Sequence, residues 1–117
     1  MAEIELIATV PVLCVSDVAK SVAFYRDRLG FSPTFEFGPY AGVKRGPLEL
    51  HLDGGTHTFS QRPTCCRFHV RGVESLYAEM KQQDVIKPDE HLATTHMKQF
   101  SVLDLDGNRI TFAEPRS

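Results

Sequence analysis

VPVLCVSDVAKSVAFYRDRLGF, residues 10–31, reads as a strand, a capped amphipathic helix and the entry to a second strand. Val10, Val12, Leu13 and Val15 make a β-branched run suited to a strand. Ser16-Asp17 then supplies side-chain oxygens for the unpaired backbone N–H groups of a helix start. Val18, Val22, Tyr25 and Leu29 recur at i, i+4, i+7 and i+11, one face of a helix. Burying that stripe on a sheet is worth roughly 1.5–3 kcal/mol per large side chain. Arg26 and Arg28 fall in the last turn, where cations meet the negative end of the helix dipole. Gly30 stands where helices commonly end in a left-handed residue.

Working outward, Phe31–Gly38 is an aromatic-rich strand that Gly38-Pro39 breaks. Tyr40–Arg45 and Leu48–Asp53 form a hairpin around Gly46-Pro47. Leu48, Leu50 and Leu52 alternate with Glu49, His51 and Asp53, which puts one face on a core and leaves the other polar. Gly54–Pro63 is turn-rich and reads as a linker. The pattern then restarts with a strand at Thr64–Val70 and a helical stripe of Val73, Leu76, Tyr77 and Met80. Val15, Val18 and Tyr25 return as Val70, Val73 and Met80 at one offset of 55 residues. A long loop with Pro88 leads to a closing hairpin, Lys98–Leu105 and Arg109–Ala113, across Asp106-Gly107-Asn108. The chain reads βαβββ twice: a single α+β domain over 1–117, with halves about 5–53 and 64–115 and a linker at 54–63. Duplication of this kind predicts paired βαβββ modules forming a curved mixed sheet around a cleft.

Apolar residues make up 42% of the chain and charged residues 24%, ordinary for a globular protein. A net charge of −2 offers no electrostatic case for nucleic acid. No apolar run approaches the ~20 residues that span a bilayer, so no membrane partner is expected. The N-terminus lacks the basic segment and cleavage site of a signal peptide, which points to the cytoplasm. Three cysteines, with Cys65 and Cys66 adjacent, make no disulfide framework and read as small hydrophobes in a reducing compartment.

Chemistry-bearing side chains collect on the polar strand faces. By alternation Glu49 and His51 share one face, and Cys65, Arg67 and His69 share another. If both faces meet, they form a pocket with a carboxylate, a guanidinium and two imidazoles; otherwise Glu49 simply pairs with Arg67 on a solvated wall. Glu49, His51 and His69 are a weak alternative metal set. Asp104-Leu105-Asp106-Gly107-Asn108 imitates a calcium loop, but its Gly comes too early and no Glu closes it, so it reads as a hairpin turn. Neither a phosphate-binding Gly-rich loop nor a Ser-His-Asp set is present.

With the repeat in place, the chain resembles the vicinal oxygen chelate superfamily, nearest to its bleomycin resistance proteins. The resemblance rests on residues 10–31, YAGVKRG at 40–46, FHVRGVESLYAEM at 68–80 and QFSVLDLDGNRITFAEP at 99–115. It implies the glyoxalase/bleomycin resistance fold and a homodimer with ligand crevices between subunits. It also implies exchange of the N-terminal strand at Pro11. The superfamily's four metal positions fall on Val10, Glu49, Cys65 and Thr111, and of these only Glu49 is an ordinary ligand. No cofactor is therefore expected. The function implied is non-catalytic sequestration of a bleomycin-type antibiotic; the alternative is a metal-dependent lyase, isomerase or dioxygenase. A cationic drug with flat rings calls for stacking aromatics and for carboxylates. The expected ligand-binding residues are Phe35, Phe37, Tyr40, Glu49, His51, Arg67, His69, His96 and Phe100, with Phe59, Glu36 and Asp53 as further candidates. His96 enters because the matching loop of the resemblance carries a stacking aromatic. Lys44, Arg67 and Lys98, on strands near the cleft, would oppose a cation.

Overall fold

A computed structural model describes residues 3–55, 63–87, 90–92 and 97–116. The first half runs β1 (Val12–Cys14), α1 (Val18–Leu29), β2 (Ser32–Phe37), β3 (Tyr40–Arg45) and β4 (Leu48–Asp53). The second runs β5 (Cys65–His69), α2 (Val73–Gln82), β6 (Lys98–Leu103) and β7 (Arg109–Glu114). Each half is a mixed sheet, in the order β1-β4-β3-β2 and β5-β7-β6. In each, the first strand lies parallel to the last, β1 to β4 and β5 to β7. The first half is the expected βαβββ unit. Among the described residues the second carries three strands, with no counterpart of β2.

The stripe on α1 is buried at Val22, Tyr25 and Leu29, and Val18 packs against the same core. Asp17 caps the helix, its carboxylate accepting from the Lys20 amide at 3.0 Å, and Gly30 ends it in the left-handed region. One apolar cluster joins both halves, from Leu13, Tyr25, Phe31 and Leu50 to Phe68, Met80, Phe100 and Phe112. The helices and the apolar sheet faces meet there, and the polar sheet faces turn outward.

The turn after β6 locks the halves together. Asp104 accepts the Tyr25 hydroxyl at 2.8 Å, and Asn108 donates to both Asp104 and the Cys14 carbonyl. Asp106 accepts the Ser16 amide at 3.0 Å. Burial first, and then the Asp104 carboxylate, hold the Tyr25 phenol well above its ordinary range, so it stays a donor. The motif that imitates a calcium loop is thus a hairpin turn, as its sequence predicts, and also a polar joint.

Residues 3–11 precede β1 outside any helix or strand, with Ile4, Leu6 and Ile7 exposed at 90%, 92% and 85%. The radius of gyration is 15.2 Å, above the roughly 13 Å of a compact chain this long. Among the described residues no helix is long and apolar enough to cross a membrane.

Candidate functional site

The polar face of the first sheet carries an aromatic shelf, and an irregularity in β2 builds it. Strict alternation from the buried Phe31 would send Phe35 and Phe37 to the core side. Pro33 does pair with Val43 on that side, but the register shifts between Pro33 and Phe35, so that Phe35 pairs with Gly42 and Phe37 with Tyr40. The extra residue, Thr34, is a β-bulge that re-aims both phenylalanines onto the polar face. Gly42 then accommodates the Phe35 ring: a Cβ there would lie 2.4 Å from Phe35 Cε1. Sequence alternation alone does not reveal the bulge; the Pro33-Thr34 pair on an edge strand and the facing glycine are its only local signals.

On the shelf Phe35 stacks with Tyr40 at 6.0 Å and 18°, and lies edge-on to His51 at 5.1 Å. Phe37, 5.8 Å from Phe35, is 75% exposed. The imidazole of His51 connects two polar groups, with Nε2 3.1 Å from Glu49 Oε2 and Nδ1 2.9 Å from Tyr40 Oη. A carboxylate only accepts, so Nε2 donates to Glu49, while Nδ1 and the Tyr40 hydroxyl share the second bond. The chain Tyr40–His51–Glu49 thereby fixes Tyr40 beside the two side chains, Glu49 and His51, that sequence alternation places on one face. Lys44 stands across from Glu49 in the strand register and is exposed.

The remaining predicted residues divide. Arg67 shares with Glu49 a cleft of about 330 Å³, lined also by Thr9, Pro11 and Cys66. The alternative in which Glu49 simply pairs with Arg67 is not the arrangement adopted: Glu49 bonds His51, and Arg67 Nη2 donates to Gln99 Oε1 at 2.9 Å and contacts Met97 Sδ. His69 stands apart, exposed at the rim of another groove. Phe100 does not belong to a ligand site. It is 1% exposed and packs on Phe112 and Tyr77, because its pairing with Phe112 puts both rings on the helix side of the second sheet. Lys98 lies on that side too, bonded to Glu74 at 3.0 Å, and away from the cleft. His96 and Phe59 lie outside the described residues. Glu36 is exposed on β2, opposite Ala41.

The donor set does not fit a metal of the kind the superfamily enzymes hold. Val10 has no donor atom, and the buried Thr111 hydroxyl is committed to Ser101 Oγ at 2.8 Å. Cys65 is exposed, on the opposite strand face from the half-buried Cys66. Burial pushes the Cys66 thiol up to about 11, so it packs as a hydrophobe. The alternative trio does not form either, since His69 is separate from Glu49 and His51. Among the described residues no three His, Cys, Asp or Glu side chains converge.

A family model described as "Glyoxalase superfamily protein" matches residues 1–117. The bleomycin resistance protein of Geobacillus stearothermophilus is 27% identical over 126 aligned residues, which cover 92% of this chain and 96% of that one. The bleomycin-binding protein of bleomycin-producing Streptomyces verticillus, solved with copper(II)-bleomycin, superposes with a TM-score of 0.78 at 25% identity. That match covers 97% of this chain and all of the other. Lactoylglutathione lyase from Agrobacterium tumefaciens shares the fold, with a TM-score of 0.73, 17% identity and 92% of each chain covered.

Proposed function

Since the chain belongs to the glyoxalase superfamily, we propose that it acts as its bleomycin resistance members do, sequestering a flat, cationic antibiotic of the bleomycin type without turning it over. The observation that carries this reading is the aromatic shelf of Phe35, Phe37, Tyr40 and His51 with Glu49 at its edge. The exposed Phe37 ring beside the half-buried Phe35 and Tyr40 rings offers planar stacking area, and the Glu49 carboxylate gives the ligand's positive charge a counter-ion. The mismatch between the superfamily's metal positions and the donors present here weighs against the lyase or dioxygenase alternative.

The working form is a cytoplasmic homodimer. Ile4, Leu6 and Ile7 in the N-terminal segment are large apolar groups left in water, and a partner subunit is the economical cover for them. Exchange of that segment at Pro11 would bring the second sheet of one protomer, with Arg67, over the shelf of the other. His96 joins the ligand contacts in this reading, and His69 is the least supported of the set.

The test is a calorimetric titration with metal-free bleomycin, run beside light scattering. A dimer that binds saturably, about one ligand per chain, is expected, and Phe35→Ala should weaken binding about tenfold or more as stacking and shelf order are lost. Absence of binding heat at several temperatures overturns the drug assignment. A monomer at micromolar concentration overturns the interface crevice.

A further inference from the structure

A groove of about 570 Å³ opens on the seam between the halves, where the β3–β4 turn faces the junction of β5 and α2. Its volume lies within the range of small-molecule sites. Leu48, Val70, Leu76 and Phe112 give it an apolar floor drawn from both halves. Charged groups ring it, and they do not cancel. The Arg45 guanidinium forks onto Glu79 with bonds of 2.8 and 3.0 Å, which neutralises the one carboxylate of the lining. Arg71 remains, exposed, spending a single N–H on the Pro115 carbonyl at 3.3 Å. The nearby Glu114 acts on Arg71, but its Oε1 is already held by the Gly72 and Val73 amides. Ser75 and His69 complete the rim.

We propose that this groove binds a small amphipathic anion. Its carboxylate, sulfonate or phosphate head meets Arg71 and His69, and its apolar body lies on Leu48, Val70 and Leu76. The chemistry is the reverse of the shelf's, where Glu49 favours a cation, so the two sites select different ligands. The groove shares no residue with the aromatic cluster, so this inference stands whether or not the shelf holds an antibiotic.

Fluorescence titration of the full-length protein with 8-anilinonaphthalene-1-sulfonate tests the proposal, with N-phenyl-1-naphthylamine as the same aromatic body without the charge. Saturable sulfonate binding near one per chain is expected, with the uncharged analogue at least about tenfold weaker, as a lost charge-assisted hydrogen bond implies. Arg71→Glu should weaken the sulfonate by a similar factor and leave the uncharged analogue unmoved. His69→Glu is a second surface variant with the same expectation. Phe35→Ala should not change sulfonate affinity. Sulfonate binding that ignores both rim variants, disappears with Phe35→Ala, or is absent altogether overturns the site.

Discussion

The two halves share a strand-helix-hairpin frame, the second without a counterpart of β2 among the described residues, and they are held in different ways. In the first, α1 is capped by its own neighbour Asp17 and closed by Gly30, within one continuous stretch of chain. In the second, α2 starts at a left-handed Gly72 with no side-chain cap of its own, and the carboxylate of Glu114, 42 residues on, accepts from the Gly72 and Val73 amides at 2.9 and 3.1 Å. The polar faces differ likewise: the first bears a connected aromatic cluster, the second the separate pairs Arg67–Gln99 and Ser101–Thr111. The sheet-and-helix frame recurs in both halves, while the groups that finish each half come from anywhere the fold brings close.

The sharpest break of that comparison is at the equivalent helix positions Tyr25 and Met80, both fully buried. Met80→Ala removes packing alone, about 2–5 kcal/mol. Tyr25→Ala removes a larger ring, about 3–5 kcal/mol. It also takes one donor from Asp104 in the joint between the halves. Tyr25→Phe isolates that hydroxyl and should cost about 1.5–3 kcal/mol, the range for a hydrogen bond to a charged group. Denaturant unfolding measures all three, and an unchanged midpoint for Tyr25→Phe would show that the joint is not held through the phenol.

A smaller effect is expected at the local cap. Asp17→Ala should destabilise by about 1 kcal/mol. Asp17→Ser should restore most of that, because a hydroxyl can accept from the same amide. Failure of serine to rescue would mean that Asp17 acts through its charge on α1 and not through the hydrogen bond to Lys20.

Legibility in the sequence follows the same division. The α1 stripe, its cap and its glycine lie within 14 residues, from Asp17 to Gly30, and the β3–β4 hairpin alternates cleanly; both are visible from periodicity. Glu49 and His51 are accessible for that reason. Phe35 and Phe37 belong on the shelf, yet plain alternation from Phe31 gives the wrong face, since a bulge depends on how β2 meets Gly42. Phe100 looked available because aromatic strands of either orientation have the same composition; only its pairing with Phe112 reveals the buried side. The Glu114 cap and the Asp104–Asn108 joint join residues 41 to 94 positions apart, which no local pattern encodes.

The smallest expected effect tests the borrowed cap directly. The Val73 and Gly72 amides hold the Glu114 carboxyl below its ordinary value of 4.5. A depressed carboxylate stabilises the fold fully above its unfolded-state pKa, and that contribution disappears as pH falls through the lower folded-state value. Glu79, lowered by its hydrogen bond from Arg45, adds an acid limb of the same sign. Glu114→Gln keeps an acceptor for the amides but cannot titrate. The wild type should therefore melt slightly above the variant at pH 7, keep that margin down to about pH 5, and lose it on further acidification. The limb due to Glu79 remains in both proteins, so the difference between them isolates Glu114. A margin that does not shrink on acidification would mean that α2 gains from the shape of the Glu114 side chain and not from its charge, and the contrast with the self-capped α1 would then be one of distance along the chain alone.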